Sequence, residues 1–428
     1  MINLPEEFLR RMQSELGGGF GAFLATYDRP AERAISVNTL KISPEEFEKI
    51  SPVPLDGRVP WEPNAFYAPA DGLGRTVMHA AGLYYVQEPS ATCAAPELCV
   101  KPGERVLDLC SAPGGKGLQL ARAMRGGGVL VLNEINRDRC KILESNVERN
   151  GVKNALVTCA PPERLAEIFE GYFDKILVDA PCSGEGMFKK EENAVPEWSE
   201  KNVALCAERQ AQILECADKM LAGGGRLVYS TCTFAREEDE GQIERFLRAH
   251  GGYSLLSQKK LYPHEVRGEG HFCAVLEKGE GCRNDLKTHT PAKSGLSVYR
   301  EWERDTLCVR LENVRVDNGV AYCFTDGAPD NSGWSKRGVF GGRGLCLGAY
   351  SADGKRFEPS HALVMSLTRS EVKCVEVDEK TALAYLRGLT FECNENGWRA
   401  VTYLGYPLGW CKAVNGTAKN HLPKGIRI

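Results

Sequence analysis

Two cysteines in this sequence follow apolar runs that are typical of buried strands. Cys182 closes "ILVDAPCSG", and Cys232 lies in "LVYSTCTF" between Thr231 and Thr233. At the carboxyl end of a strand, a side chain reaches the cleft where parallel sheets bind ligands. A thiol placed there can act as a nucleophile once it loses its proton. The sequence therefore predicts that these two cysteines, together with Asp179 in the first run, take part in chemistry.

The other cysteines do not indicate a second kind of site. The chain has 17 cysteines, and because no C-x-x-C pair occurs, a metal site such as structural zinc is not expected. A disulfide framework is not expected in a long chain without a secretory signal. We interpret most of these residues as small buried hydrophobes. Cys110, Cys182 and Cys232 are the exceptions, since all three lie at predicted strand ends.

A glycine-rich turn, "LDLCSAPGGKG" at residues 107–117, follows another strand. Its glycines let backbone N–H groups approach a ligand. The turn matches neither G-x-G-x-x-G nor the phosphate loop, where Cys110 would replace a glycine and Gly117 the Ser or Thr. Glu134 ends the next strand and can accept hydrogen bonds from both hydroxyls of a ribose. An uncharged turn with this acid predicts S-adenosylmethionine, although a helix-dipole role for Glu134 is the alternative.

For these side chains to lie together, the strands that carry them must form a sheet in which their carboxyl ends meet at one edge. From about residue 81, short apolar runs alternate with helical patterns, which indicates a doubly wound, mostly parallel α/β sheet. Strands are predicted at 105–109, 129–132, 155–158, 174–178 and 226–230, and helices near 116–125, 136–149, 163–170, 200–221 and 236–249. Such a sheet brings Cys110, Glu134, Asp179, Cys182 and Cys232 to its ligand-binding edge.

The segments on either side have other patterns. Residues 1–80 predict a small α+β domain, with a helix over 5–16, a strand in "AISVNTLKI" and a second helix opened by a capping box from Ser43 to Glu46. After about residue 280, a linker-like stretch leads into short strand-like runs. We therefore divide the chain into 1–80, a catalytic domain at 81–280, a linker with a small β-rich domain at 281–360, and a β-rich domain at 361–428.

The last 28 residues carry positive charge. They contain four cations and no Asp or Glu, and ring side chains lie among the cations: Lys412, Lys419, Lys424 and Arg427, with Tyr403, Tyr406, Trp410 and His421. Interleaved cations and aromatics suit a nucleic-acid surface. A solvated edge of a small β domain is the alternative.

Composition sets broad limits. The chain has 428 residues and a net charge of -3, and its hydrophobic fraction of 43% and charged fraction of 26% are ordinary for a globular protein. This length exceeds what one core usually serves, so several domains are expected. No apolar run reaches membrane-spanning length, and "MINLPEEFLRR" has no apolar signal core. We therefore expect a cytoplasmic protein without a membrane partner.

Three motifs in series resemble one family. "VLDLCSAPGGKG", "ILVDAPCSGEGMF" and "LVYSTCTF" look like the RNA cytosine carbon-5 methyltransferases of the Sun type. "RAISVNTLK" and "YYVQEPSA" resemble its upstream segments, and "GWRAVTYLGYPLGWCK" resembles the PUA-like domain of its bacterial RsmF-like branch. The resemblance implies a Rossmann-like class I S-adenosylmethionine-dependent methyltransferase core, a small N-terminal α+β domain and a C-terminal β-rich PUA-like RNA-binding region. The implied substrate is small-subunit (16S) ribosomal RNA.

The resemblance also implies roles for residues. Cys232 is the nucleophile that attacks carbon 6 of cytosine, and Cys182 assists release of the covalent product. Asp179 contacts the polar edge of the base, and Lys116 reaches the active site, with a solvated or phosphate-facing lysine as its alternative. The implied cofactor-binding residues are Cys110, Ser111, Ala112, Pro113, Gly114, Gly115, Lys116, Glu134 and Asp179. DNA carbon-5 methyltransferases use a Pro-Cys cysteine as nucleophile and lack the second, so the presence of both favours RNA.

Two departures from the family pattern and three alternatives remain open. Cys159 and Ala160 stand where the family often has an acidic pair for the adenine amine, so the adenine contact must come from elsewhere. Gly117 replaces a frequent Thr or Ser, which removes no chemistry. The alternatives are a transfer-RNA substrate, a catalytically silent RNA-binding assembly factor, and a small-molecule methyltransferase.

Overall fold

A computed structural model describes residues 3–191, 193–290 and 295–428 of the chain. The predicted first helix is confirmed, and the predicted capping box opens the third helix, since Ser43 Oγ accepts from Glu46 N and the Glu46 carboxylate accepts from Ser43 N. The first segment contains α1 (Glu6–Leu16), α2 (Phe20–Leu24), β1 (Ala34–Val37), α3 (Pro44–Ile50), β2 (Arg58–Val59), β3 (Glu62–Tyr67), α4 (Val77–Ala80) and β4 (Tyr84–Gln87).

The central segment alternates strands and helices. It contains α5 (Ala94–Glu97), β5 (Arg105–Asp108), α6 (Gly115–Met124), β6 (Val129–Asn133), α7 (Arg137–Asn150), β7 (Ala155–Cys159), α8 (Pro162–Ala166), β8 (Phe173–Asp179), α9 (Ala194–Glu197), α10 (Glu200–Met220), β9 (Leu221–Thr231), α11 (Glu240–Ala249), β10 (Tyr253–Leu261) and β11 (His271–Lys278). All five predicted strands of this segment are confirmed.

The remaining residues are rich in short strands. They contain α12 (Ser297–Thr306), β12 (Val314–Asp317), β13 (Val320–Cys323), β14 (Phe340–Arg343), β15 (Leu345–Tyr350), β16 (Phe357–Pro359), α13 (His361–Met365), β17 (Cys374–Glu376), α14 (Glu379–Leu386), β18 (Phe391–Glu392), β19 (Gly397–Tyr403), β20 (Tyr406–Val414) and β21 (Thr417–Asn420).

The strands form four sheets. The large sheet has the order β10-β11-β9-β8-β5-β6-β7-β14, and its strands from β9 to β7 are parallel. The smaller sheets have the orders β2-β3-β1-β4, β12-β13-β15-β16 and β17-β19-β20-β21-β18. The fold is thus a doubly wound α/β core flanked by a small α+β unit and a β-rich C-terminal region.

The edges of the large sheet differ from the sequence prediction. Strands β10 and β11, for which no prediction was made, extend the sheet antiparallel beyond β9. Helix α8 ends at Ala166 rather than near residue 170, because Phe169 turns into the core and packs on Phe173 with ring centroids 5.0 Å apart. Across the described ranges, no helix is long and apolar enough to span a membrane.

The C-terminal aromatic residues divide between core and surface. Trp410 is only 2% exposed, and its indole N–H donates to Ser360 O at 2.8 Å. Tyr403 and Tyr406 stay half-buried. The interpretation of this segment as interleaved surface aromatics is therefore wrong for Trp410, because both faces of β20 are covered here, with Leu408 and Cys411 in one hydrophobic cluster and Trp410 in another.

Candidate active site

The register of two neighbouring strands sets the centre of the site. β8 and β9 run parallel with Asp179 paired to Ser230, so Cys182 and Cys232 both follow carboxyl ends at the same place. Their sulfur atoms lie 3.3 Å apart, and both residues are half-buried. The structure therefore brings together the two cysteines and the aspartate that the sequence singled out.

Hydrogen bonds between the two loops fix this sulfur contact. The hydroxyls of Ser183 and Thr233 lie 2.9 Å apart, and Ser183 N donates to the Glu238 carboxylate at 3.0 Å. Gly186 N donates to Cys232 O at 2.9 Å. Each cysteine thus has an immediate neighbour tied to the opposite loop, which limits how far the sulfurs can separate.

The threonines that frame Cys232 face away from the cleft. Thr231 and Thr233 are fully buried, and Thr231 Oγ1 donates to Asp239 Oδ1 at 2.5 Å. Lys260 Nζ lies 3.0 Å from Asp239 Oδ2, and burial, which outweighs this contact, raises the pKa of Asp239 well above its usual value. Because side chains alternate along an extended chain, Cys232 points to the opposite side, into the cleft.

Asp179 is the charged centre of the site. Its Oδ2 accepts from Lys116 Nζ at 2.8 Å, its Oδ1 accepts from Ser230 Oγ at 2.8 Å, and His271 Nε2 lies 3.6 Å from Oδ1. Lys116 comes from the first turn of α6, and His271 begins β11. Three separate elements therefore converge on one carboxylate, which fixes its orientation.

The charges around Asp179 shift its protonation. Burial raises the pKa of Asp179, but the Lys116 ammonium and the contact with His271 outweigh burial and hold this pKa below its usual range. Burial lowers the pKa of Lys116, and Asp179 more than compensates, so the pKa of Lys116 is raised. Burial, with the Lys116 charge, lowers the pKa of His271. At neutral pH the site therefore holds an ion pair beside a neutral imidazole.

The contact between the two thiols affects the protonation of Cys182. The hydrogen bond with Cys232 and, to a smaller extent, burial raise the pKa of Cys182 well above the usual value for a thiol. Cys182 therefore keeps its proton at neutral pH and can donate it toward Cys232 Sγ.

The glycine-rich turn packs onto the end of β5. Ser111 N donates to Asn133 O and Ser111 Oγ donates to Asp108 Oδ2, both at 2.8 Å. A Cβ at Gly117 would lie 2.7 Å from Ser111 Oγ and 3.1 Å from Asp108 Oδ2. Glycine at position 117 is therefore what allows this contact, so the departure from the family pattern has a structural reason. Burial raises the pKa of Asp108 to about 7.

One arginine joins the turn to Glu134. Arg139 donates to Ala112 O at 2.7 Å and lies 3.4 Å from Glu134 Oε2. Glu134 is 4% exposed and accepts from Asn136 N at 2.9 Å. One guanidinium therefore holds the turn and the buried acid next to each other.

The other predicted cofactor residues lie in the same turn. Gly114 has φ 119 and precedes α6, and a Cβ at Gly115 would lie 2.9 Å from the Gln87 side chain, so the turn is closely packed. Pro113 O accepts from Asn146 Nδ2 at 2.8 Å. Burial raises the pKa of Cys110, so this thiol stays protonated.

Three polar residues at the site were not predicted. Ser230 lies within the quoted "YSTCTF" motif, and its position two residues before Cys232 is the only sequence signal. His271 carries no local signal, because the antiparallel pairing of β11 on β9 brings it beside Asp179. Asp108 ends β5, so a search for polar residues at the ends of predicted strands could have found it.

Family comparisons cover most of the chain. Residues 95–277 match the family described as 16S rRNA methyltransferase RsmB/F, residues 4–89 match the N-terminal domain of 16S rRNA methyltransferase RsmF, and residues 372–428 match the methyltransferase RsmF PUA domain.

Curated relatives match over their whole length. The ribosomal RNA small subunit methyltransferase F of Shewanella oneidensis is 30% identical, with 100% of this chain and 98% of the relative aligned. The protein of the same name from Shewanella sp. strain MR-7 is also 30% identical, with the same coverage.

Solved structures share the fold. A methyltransferase homolog protein from Pyrococcus horikoshii is 29% identical with a TM-score of 0.58, over 65% of this chain and 96% of that chain. NSun6 from Pyrococcus horikoshii, determined with SFG, is 22% identical with a TM-score of 0.60, over 65% and 99% of the two chains.

Proposed function

The chain belongs to the RsmB/F family of 16S rRNA methyltransferases, and from this premise we propose that it methylates carbon 5 of a cytosine in 16S rRNA through a covalent cysteine–cytosine intermediate. The observation that carries the proposal is the 3.3 Å contact between Cys182 and Cys232 beside the Asp179–Lys116 ion pair. A methyltransferase that alkylates a more nucleophilic nitrogen or oxygen needs no such thiol pair.

The chemistry explains why a thiol is required. Carbon 5 of cytosine is a poor nucleophile, and addition of a thiolate to carbon 6 converts the ring to an enamine whose carbon 5 can attack an electrophilic methyl group. The sulfonium of S-adenosylmethionine supplies that methyl group. Loss of the carbon-5 proton and cleavage of the bond between sulfur and carbon 6 then restore the aromatic ring and the free cysteine.

We assign the two cysteines different roles. Cys232 forms the bond to carbon 6, and Cys182 assists the elimination that releases the product. The raised pKa of Cys182 supports this division, because a protonated Cys182 can stabilise negative charge on the neighbouring sulfur as it forms and as it leaves. The hydrogen bonds of Ser183 and Gly186 keep the sulfurs in contact while a base is bound.

Asp179 and Lys116 orient the base. An ionised Asp179 accepts hydrogen bonds, so it can receive the exocyclic amine of cytosine on the side that Ser230 leaves free. Lys116 fixes the carboxylate and keeps it ionised. The target base must be unpaired or flipped to reach this cleft.

The cofactor is assigned to the turn from Cys110 to Lys116, to Glu134 and to Asp179. Backbone groups of the turn hold the amino-acid tail, and Glu134 holds the ribose hydroxyls. The bridge from Arg139 to Ala112 and Glu134 supports a single ligand spanning both.

We propose that the flanking regions bind the RNA. We keep the division into residues 1–80, 81–280, 281–360 and 361–428 as part of this proposal. The chain has a PUA domain, and two lysines on neighbouring strands of its sheet, Lys412 and Lys419, are paired directly across β20 and β21. Like charges so close favour a polyanion between them.

Product analysis tests the proposed function. The purified protein should transfer labelled methyl groups from S-adenosylmethionine to unmodified 16S rRNA, and digestion to nucleosides should yield 5-methylcytidine. Transfer-RNA should give less than a tenth of that signal. Methylated adenosine or 4-methylcytidine as the product would overturn the carbon-5 assignment.

A further inference from the structure

The last strand of the catalytic sheet is supplied from far along the chain. β14 lies antiparallel to β7, with Phe340 opposite Cys159 and Gly341 opposite Thr158. Cys159 is the last residue of β7, so Phe340 lies at the carboxyl edge of the sheet, the edge that also carries Glu134. The region between the catalytic segment and the PUA domain therefore reaches the proposed cofactor site.

Two glycines and a tryptophan fix the position of β14. A Cβ at Gly341 would lie 2.3 Å from Val157 O, and one at Gly342 would lie 2.3 Å from the Trp334 ring, so only glycine allows this approach. Trp334 and Val339 are buried in the same hydrophobic cluster as the large sheet. β14 is thus held as part of the catalytic core.

This docking places an apolar surface next to the buried acid. Ile135 follows Glu134 directly and is 61% exposed, and Phe340 is 47% exposed. Cys159 connects the two, since its Sγ lies 3.7 Å from Ile135 O and its register partner is Phe340. The Arg137 guanidinium lies 5.2 Å from the Phe340 ring centroid. Side chains of an antiparallel pair share one face, so the ring and the Cys159 sulfur face the same side.

We propose that Phe340 forms one wall of the pocket for the adenine ring of the cofactor. The inference rests on the proposed function, because it takes Glu134 as the ribose ligand. A base joined to that ribose must lie beyond Glu134, toward Ile135 and the end of β7. Cys159 and Ala160 offer no acidic side chain to pair with the adenine amine, so contacts with the ring faces take a larger share of the affinity. Aromatic stacking on a base supplies it without hydrogen bonds.

Binding of S-adenosylhomocysteine to the full-length protein tests this role. By titration calorimetry, Phe340→Ala should weaken binding roughly 5- to 150-fold, the range expected when one aromatic partner of a base is removed. Phe340→Tyr should bind within about twofold of wild type, because it keeps the π face. Phe340→Leu keeps apolar bulk but no π face and should fall between, so the proposal stays testable even if the alanine variant folds poorly.

Leu256→Ala is the matched control. Leu256 is 48% exposed and lies on β10, the edge strand at the other side of the same sheet, and its loss should leave S-adenosylhomocysteine binding unchanged. If wild type binds and folded Phe340→Ala and Phe340→Leu bind equally well, the inference is overturned and the proposed function stands. If wild type does not bind S-adenosylhomocysteine at all, both are overturned.

Discussion

Replacement of Lys116 by methionine tests how the charged centre of the site works. Lys116 Nζ lies 2.8 Å from Asp179 Oδ2, and the lysine side chain is 9% exposed. Methionine keeps most of the apolar length and removes the charge. Asp179 then keeps Ser230 and His271 as partners, and burial, which opposes ionisation, is no longer offset by the Lys116 charge.

The size of the effect follows from the contact. A hydrogen bond between charged groups contributes about 1.5–3 kcal/mol. Loss of one partner of a fully buried pair costs about 3–5 kcal/mol, but Asp179 keeps 31% of its side-chain surface exposed, and water replaces part of the lost interaction. We therefore expect a loss of ~1.5–3 kcal/mol in the free energy of unfolding, and a methyl-transfer rate reduced by about 10- to 150-fold if the contact also persists in the transition state.

The pH dependence of the methyl-transfer rate distinguishes a role of Lys116 in holding Asp179 ionised from a general role in folding stability. Asp179 has a pKa below its usual range, so its favourable contribution is present above the ordinary value near 4 and is lost as the pH falls below it. Without Lys116 this pKa rises. In the pH–rate profile for a single turnover with 16S rRNA, the acid limb, where the rate falls at low pH, should therefore move to higher pH in Lys116→Met.

Lys278→Met is the control. Lys278 Nζ lies 2.9 Å from Asp218 Oδ1, and both side chains are partly buried. Lys278 ends β11 whereas His271 begins it, so the control pair lies roughly 23 Å from the site. It should lower stability without moving the acid limb. An unchanged rate and acid limb in Lys116→Met would refute the assigned role of the ion pair.

Three further changes address the cofactor turn and the RNA surface. Glu134→Gln should weaken S-adenosylhomocysteine binding at least about tenfold by calorimetry, because a neutral amide accepts less strongly from ribose hydroxyls; equal affinity would contradict the assignment. Burial raises the pKa of Asp108 to about 7, so the folded protein keeps a proton that the unfolded chain releases near pH 4, and stability falls as the pH rises between these values. Asp108→Asn should remove this fall, worth about 2.7 kcal/mol between pH 5 and pH 8, in urea unfolding at these two pH values, and parallel pH dependences in variant and wild type would contradict it. The double variant with Lys412→Ala and Lys419→Ala should reduce the slope of log K against log salt concentration for 16S rRNA binding by about 1.5–2 without lowering thermal stability. An unchanged slope would favour the interpretation of this surface as a solvated edge.

Local patterns were enough to predict the core of the site. Each of Asp179, Cys182 and Cys232 follows a short apolar run, and parallel strands gather such ends at one edge. The sequence is therefore enough to predict that these segments are strands and that their polar residues lie at the carboxyl edge of the sheet. The 3.3 Å sulfur contact does not, because it depends on loop-to-loop hydrogen bonds such as Ser183 to Glu238.

Residues brought in by distant strands could not be predicted. His271 reaches the site through the antiparallel pairing of β11, and Phe340 through the docking of β14 on β7. Both pairings depend on tertiary contacts, since the sequence around each residue reads like any short strand. The prediction that Trp410 lies on the surface was wrong for a related reason, because composition alone does not tell which face of a strand is buried. The four-part division of the chain stays a prediction.

Trapping of the covalent intermediate tests the division of labour between the two cysteines most directly. Full-length Cys182→Ala, incubated with 16S rRNA and S-adenosylmethionine, should give a slowly migrating band on a denaturing gel that ribonuclease removes, because attack proceeds and release does not. Cys232→Ala and the double variant should give no band while retaining S-adenosylhomocysteine binding. Cys99→Ala, a change at an exposed cysteine, should behave as wild type. A ribonuclease-sensitive band from Cys232→Ala and none from Cys182→Ala would contradict the account and make Cys182 the nucleophile.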